Sequence, residues 1–274
     1  MRLGIEAGAD TIEAAVELGI RGVPVDAAEL ASKGVGATLS TLKKHGLEVC
    51  QIGAFGFNPL SEDEAAQETQ KDLLREVIPM AADTGCPYIV ICGGNHHPSG
   101  FGDFDPRNWT EGAFDELVVT LQPFVALAAR HGAKIAIEPY LKTAINHPER
   151  FHRLRERLSH PEALVANVDV TSLYDFRDYA RPDQICREVC QGFSGVYGLG
   201  HIKDIGLEPG FHLQMGLAPL GTSPTNWIEV LRMMEPHMPK DSWLILEHLS
   251  DIEEARRSTA KLRDYAKEAG VSLT

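Results

Sequence analysis

Short apolar runs alternate with longer stretches of helical spacing from one end of the chain to the other. Eight runs predict strands: Leu3–Ala7, Gly22–Val25, Glu48–Ala54, Tyr88–Cys92, Lys134–Glu138, Ala166–Val170, Val196–Lys203 and Trp243–His248. Each is short and rich in aliphatic or aromatic residues, as suits a strand buried on both faces. Between them, apolar positions recur at helical spacing and run up to a glycine: Ile12 to Val16 before Gly19, Leu73 to Met80 before Gly85, Leu117 to Leu127 before Gly132. Glycine is the expected stop, because the residue that ends a helix often turns left-handed. Asp251 to Glu268 predicts a closing helix, with an i,i+4 ion pair at Glu253–Arg257.

Eight strands, each followed by helical sequence, predict an α/β fold of the (β/α)8 TIM-barrel type, because right-handed crossovers force the strands parallel. A doubly wound open sheet is the alternative, weakened because Gly4 and Gly8 do not give a GxGxxG turn after the first strand. With no low-complexity segment, Ser/Gly linker or long charge run, a single domain over 1–274 is expected. The longest irregular stretches, Gly93–Asn108 and Ile205–Thr225, follow predicted strands, on the face where barrel active sites are built.

Charge narrows the partners. The 39 acidic against 26 basic side chains leave a net −13, which argues against nucleic acid as a partner. No apolar run approaches the roughly 20 residues of a membrane span, and the first residues carry no apolar core of a secretory signal. None of the five cysteines (Cys50, Cys86, Cys92, Cys186 and Cys190) stands in a CxxC pair. Buried thiols in a cytoplasmic protein are expected, rather than disulfides or metal ligands.

The candidate chemistry concentrates where apolar strands end in an ionisable group. Glu138 closes KIAIE, Asp169 lies in NVDV, His201 and Lys203 share one side of GHIKD, and Glu247 closes LILE. A carboxylate in so apolar a run is costly to bury without a cation or a donor. In a barrel these ends, from the fifth to the eighth strand, face one axial pocket. Three carboxylates and an imidazole there would repel one another unless they held a divalent cation. Separate salt bridges to barrel Lys or Arg residues are the competing reading. The oxygen-rich set favours Mn2+, with Mg2+ or Co2+ next, over a structural zinc; zinc with open coordination is also compatible.

The segments IAIEPY, NVDV, GHIKD and LILEH, in this order at strand ends, resemble the xylose isomerase-like TIM-barrel superfamily. That group holds sugar and sugar-phosphate isomerases and epimerases and inosose dehydratases. LKKHGLEV, FNPL with Asn58-Pro59, TGCPYIVICGG, ARHGAKIAIEP and the Pro219–Gly221 segment are similar too, so the resemblance runs over nearly the whole chain. It implies a metal held by Glu138, Asp169, His201 and Glu247, with the two glutamates as acid/base pair. Two departures stand out. Many relatives carry a His two or three residues beyond the Asp, where this chain has Thr171 and Ser172; and the second strand lacks the family's closing Glu, for which Asp26 is the stand-in.

The implied chemistry is proton transfer next to a carbonyl of a ketose, sugar phosphate or polyol, by way of an enediolate. Return of the proton to the other face is epimerisation, return to the neighbouring carbon is isomerisation, and loss of a β-hydroxyl is dehydration of a keto-sugar or keto-inositol. Further substrate contacts are expected from His96, His97 and Trp109 in the fourth loop, from Lys203, and from His212 in the seventh. Phe101 is a weaker candidate for closing over a sugar ring, and exposed aromatics there would also suit a homo-oligomer contact. Arg177 is weighed as an anion contact against a plain surface role. Asp204 is expected to point outward as a cap or salt-bridge partner, and His248 to point away from Glu247. Gly221-Thr222-Ser223 reads as an anion-binding turn or, better, an ordinary cap with Pro224 at the first helical position. The remaining classes are an apurinic/apyrimidinic endonuclease-like barrel, which needs more metal ligands and a basic face, and a catalytically silent barrel.

Overall fold

The computed structural model describes residues 1–274. In chain order the strands are β1 (Arg2–Ile5), β2 (Gly22–Asp26), β3 (Glu48–Gly53), β4 (Tyr88–Cys92), β5 (Lys134–Glu138), β6 (Leu164–Val168), β7 (Tyr197–Ile202), β8 (Asp204–Leu207), β9 (Met215–Ala218) and β10 (Trp243–Leu246). Eight of them close a parallel barrel in the order β1-β10-β7-β6-β5-β4-β3-β2, the (β/α)8 architecture expected from the alternation. The other two, β8 and β9, form an antiparallel ribbon with Asp204 opposite Ala218 and Leu207 opposite Met215. The ribbon corrects the expectation that Ile205–Thr225 is irregular throughout. Its outward Leu207 and Leu217 are exposed, so burial leaves no alternating signature in the sequence.

Residue contacts divide the chain into two compact units. One comprises Met1–Val23, His45–Leu47 and Val168–Thr274; the other comprises Pro24–Lys44 and Glu48–Asn167. In the first, β1 runs beside β10 with Arg2 opposite Trp243 and Ile5 opposite Leu246, and β10 runs beside β7 with Leu244 opposite Gly200. The chain ends meet here: the Thr274 amide donates to the Met1 carbonyl and the Leu3 amide to the Thr274 carbonyl. Helices α1 (Thr11–Leu18), α6 (Phe176–Ala180), α7 (Pro182–Gly192), α8 (Trp227–Met234) and α9 (Ile252–Ala269) complete the unit, with α9 packed on α8 and α1. The pair expected at Glu253–Arg257 forms instead between Glu253 and Arg256, because Arg256 also reaches Glu17 on α1.

In the second unit β3, β4, β5 and β6 run parallel, with Cys92 opposite Glu138 at the end of the β4–β5 ladder. Its helices are α2 (Ala27–Lys43), α3 (Glu64–Ala81), α4 (Glu111–His131) and α5 (Pro148–Arg157). Asp26, the last residue of β2, caps α2 by accepting from the Glu29 amide. By length and a mean hydropathy of 1.3, α4 is apolar enough to cross a membrane, which a search for unbroken apolar runs does not reveal. Its apolar stripe, with Phe114, Leu117, Leu121 and Val125 fully buried, packs toward α3 and β5.

The glycine stops hold where they were read. Gly19 and Gly132 end α1 and α4 in left-handed conformation, at φ 63° and 69°, and each amide closes back on the last turn. Gly85 follows a single 3-10 turn, Ala82–Thr84, appended to α3. All five cysteines are buried, and none is in a disulfide.

Candidate functional site

Three strand ends of the first unit supply a compact ion cluster. Asp169 follows β6, Lys203 follows β7 and Glu247 follows β10, while His201 is the last residue but one of β7. Parallel pairing sets Ile245 beside His201 and Leu246 beside Ile202, so Glu247 emerges just beyond the imidazole. The Lys203 ammonium is 2.8 Å from Asp169 Oδ2 and 2.8 Å from Glu247 Oε1. His201 Nδ1 is 2.8 Å from the other Glu247 oxygen. Burial alone would raise the Glu247 pKa, yet the neighbouring His201 and Lys203 charges win and hold it well below the usual carboxylate range. Asp169 Oδ1 accepts from the Thr171 amide and hydroxyl, each at 2.8 Å, and from the Ser172 amide. The residues standing where relatives carry a His thus fill one oxygen of the aspartate.

Other residues of this unit meet or miss expectation one by one. Asp204 is a capping carboxylate as expected, but a buried one: at 2 % exposure, its Oδ2 accepts from the amides of Gly221, Thr222 and Ser223. The turn that read as an anion site or a cap therefore receives an internal carboxylate, and the cap of α8 is Asn226, accepting from the Glu229 amide. His248 does not point away from Glu247. Strand alternation stops at Leu246, His248 takes φ 57°, and its Nε2 stands 3.4 Å from Glu247 Oε1. His212 lies exposed near the tip of the β8–β9 ribbon, with its ring against Phe211 and not in the ion cluster. Arg177 is an exposed residue at the start of α6, 3.9 Å from Asp175.

In the second unit Glu138 is the last residue of β5 and only 4 % exposed. Burial, with a contribution from the Glu138 charge, pushes the neighbouring Cys92 thiol up to about 12. The loop after β4 is fastened by three buried asparagines. Asn58 Nδ2 donates to the carbonyls of Asn95 and His97, while the Asn95 amide donates to Asn58 Oδ1. Asn108 Nδ2 donates to Asn95 Oδ1 and to the Lys142 carbonyl, and Asn108 Oδ1 accepts from the His96 amide at 2.8 Å. His96 and His97 are set on this frame: His96 Nδ1 lies 3.7 Å from Glu62, and His97 Nδ1 accepts from the Ser99 amide. Trp109, 47 % exposed, donates to the Leu141 carbonyl and packs on Phe104; Phe101 lies between Phe55 and Tyr140. The asparagines were not singled out in the sequence beyond Asn58 in FNPL. Their partners are backbone groups far along the chain, which no local pattern encodes.

Glu138 ends β5, His201 lies at the end of β7 and Glu247 follows β10, and all three residues are buried. Two carboxylates and one imidazole form a donor set that suits a divalent cation of the Mg2+, Mn2+ or Zn2+ kind. Asp169, expected with them, spends its oxygens on Thr171, Ser172 and Lys203.

The comparisons agree on the fold. A xylose isomerase-like TIM barrel protein from Mycobacterium smegmatis, solved in complex with magnesium, superposes with a TM-score of 0.72 at 15% identity, covering 95% of this chain and 88% of that one. The 3-keto-D-glucoside 4-epimerase of E. coli gives 0.73 at 17% identity over 96% of this chain and 99% of that one. A probable 3-DHS dehydratase from Bacillus anthracis gives 0.70 at 16% identity over 96% and 98%. No curated protein matches by sequence. The family profile described as xylose isomerase-like TIM barrel matches residues 5–271, and with that span the chain belongs to this family.

Proposed function

We propose that this protein is a divalent-cation-dependent isomerase or epimerase that moves a proton next to the carbonyl of a ketose, sugar phosphate or related polyol. The observation that carries the reading is the buried ion cluster at the strand ends, with Glu247 2.8 Å from both His201 and Lys203, beside a further carboxylate, Glu138, buried at the end of β5. Glu138, His201 and Glu247 would hold the cation, Mn2+ being the first expectation and Mg2+, Co2+ and Zn2+ the others; when bound it would polarise the substrate carbonyl and ease loss of the adjacent proton.

The chain's own residues supply the rest. Glu247, held in its ionised form by His201 and Lys203, is the carboxylate that takes the proton in this reading. Glu138 is the second carboxylate at a strand end and the partner that returns the proton. Lys203, held between Asp169 and Glu247, fixes the orientation of Glu247 and presents an ammonium that can bind a substrate oxygen. His96, His97 and Trp109 are proposed to meet the substrate from the β4 loop, where the asparagine frame sets their backbone.

Dehydration of a keto-sugar or keto-inositol is the second reading, favoured by the presence of a dehydratase beside an epimerase among the similar structures. The two part at the fate of the β-hydroxyl. Metal analysis of the purified protein, then solvent-deuterium incorporation into a ketose panel, tests both. Glu138→Gln and Glu247→Gln are each expected to lower exchange by about 100-fold or more, the usual scale for loss of a general acid or base. A protein that holds no divalent cation, and whose two variants exchange like the parent, would overturn the proposal.

A further inference from the structure

The β8–β9 ribbon is amphipathic, and it turns its apolar face to solvent. Antiparallel pairing sets Ile205 opposite Leu217 and Leu207 opposite Met215. Cross-strand partners and residues two apart point to one side of a sheet, so these four side chains share a face. Leu207 and Leu217 are 46 % and 59 % exposed, while Ile205 and Met215 are half-buried. The Glu208 amide donates to the Gln214 carbonyl, which carries the pairing one step further and brings Leu213, 66 % exposed, to the same side. Phe211 stands near the tip, almost wholly exposed. The opposite face is made of Asp204, Gly206, Gly216 and Ala218. It is small because the chain's own turn lies against it: a Cβ on Gly206 would stand 3.6 Å from the Thr222 methyl, and Asp204 accepts from the Thr222 amide. An antiparallel sheet with one solvated face normally puts polar side chains there. Here the order is reversed. Single exposed apolar residues are ordinary, whereas a contiguous set marks an interaction surface.

Charge says what covers it. From Ile205 to Pro219 the one charged side chain is Glu208, on a chain of net charge −13, and alternation places Glu208 on the opposite face. Two copies of so acidic a chain repel wherever their carboxylates meet, and a face with no charge lets them approach without that cost. An anionic membrane surface attracts basic segments, and the ribbon has no Lys or Arg. A partner selected by charge finds no counter-charge on the face. The area agrees: Phe211 and the three leucines would bury on the order of 500 Å² a side, the greater part of the roughly 800 Å² per partner of a stable interface.

We propose that the apolar face of the β8–β9 ribbon is the contact between two copies of this chain, ribbon packed on ribbon about a two-fold axis. One patch then serves both subunits, as a two-fold contact requires. The assignment does not depend on the function proposed above.

Sedimentation velocity at about 100 µM covers the micromolar and tighter affinities usual for such contacts, and the native protein is expected to run at twice its chain mass. Leu213→Glu sets a carboxylate into each side of the contact. It is expected to weaken association at least about 100-fold, because like charges across a contact are strongly disfavoured. A nitroxide on Glu208→Cys reads the geometry, the native thiols being buried. The two labels are expected within about 40 Å of each other, since facing sheets pack about 10 Å apart. A native monomer at that concentration overturns the proposal; if it also floats with phosphatidylcholine vesicles, the face belongs to lipid. A dimer that Leu213→Glu leaves intact, or whose labels lie further apart, overturns it by putting the contact elsewhere. Should circular dichroism show Leu213→Glu unfolded, the native mass and the label separation decide.

Discussion

Lys203 sets one ammonium against two buried carboxylates, with side chains of Lys203, Asp169 and Glu247 at 8 %, 0 % and 8 % exposure. Such a triad is expensive to desolvate and more expensive to break, because removing one partner strands the others' charge. Lys203→Met is therefore expected to cost about 3–5 kcal/mol in chelator-treated protein, read from denaturant unfolding. A loss below 1 kcal/mol would mean that His201 alone balances the carboxylates. The thiols give a second expectation. Burial first of all raises Cys92 and Cys190 to about 12 and Cys186 to about 11, from an ordinary 9.0. They stay protonated in the folded chain, so iodoacetamide at pH 8 should label them only on unfolding. The linkage follows in sign: up to about pH 9 neither state gives up these protons, and from there toward pH 11 to 12 only the unfolded chain does. Stability from these groups is thus full below pH 9 and lost as pH rises, which denaturant midpoints measured at pH 8 and pH 10.5 would show.

At the scale of elements, the loop after β4 is the piece whose order depends most on side chains. Asn108→Ala removes two donated bonds and the acceptor of the His96 amide, and leaves buried groups unpaired. A loss of about 1–3 kcal/mol is expected, with faster hydrogen exchange at the His96 amide than at β4 amides; unchanged exchange there would sink the frame. How far each element was legible follows from where its information lies. The eight barrel strands declare themselves because aliphatic side chains on both faces are buried. β6 begins at Leu164 rather than Ala166, and Val170 leaves the strand because the Asp169 carboxylate draws the Thr171 and Ser172 amides into a turn. The β8–β9 ribbon was illegible: its pairing is backbone to backbone, and Phe211 and Leu213 near its tip are 98 % and 66 % exposed. Glu138, His201 and Glu247 were legible as polar interruptions of apolar strands. Asp204 was legible as a capping carboxylate, but its partners were not, because the amides it holds lie 17 to 19 residues further along the chain.

Across the whole molecule, charge bears on the choice of partner. A net −13 argues against a protein that works by neutralising a phosphate backbone and releasing its counterions. Duplex DNA, abasic or intact, is expected to pass a filter-binding assay unretained at about 0.15 M salt, where exposed charges act over about 8 Å. Retention there would return the endonuclease-like reading to contention. The sign of the charge bears on nucleic acid as a partner and does not choose a sugar.

The barrel closes where β1 meets β10, with Arg2 facing Trp243 and Ile5 facing Leu246. During synthesis β1 leaves the ribosome long before its ring neighbour β10, since the chain emerges at about 5–20 residues per second. For most of translation one side of β1, with Leu3 and Ile5 destined for the core, is an unpaired apolar edge able to recruit strands from other nascent chains. Ring closure is thus a late, long-range step, and overproduction faster than β10 can arrive would turn this chain toward aggregation rather than toward an unstable native state.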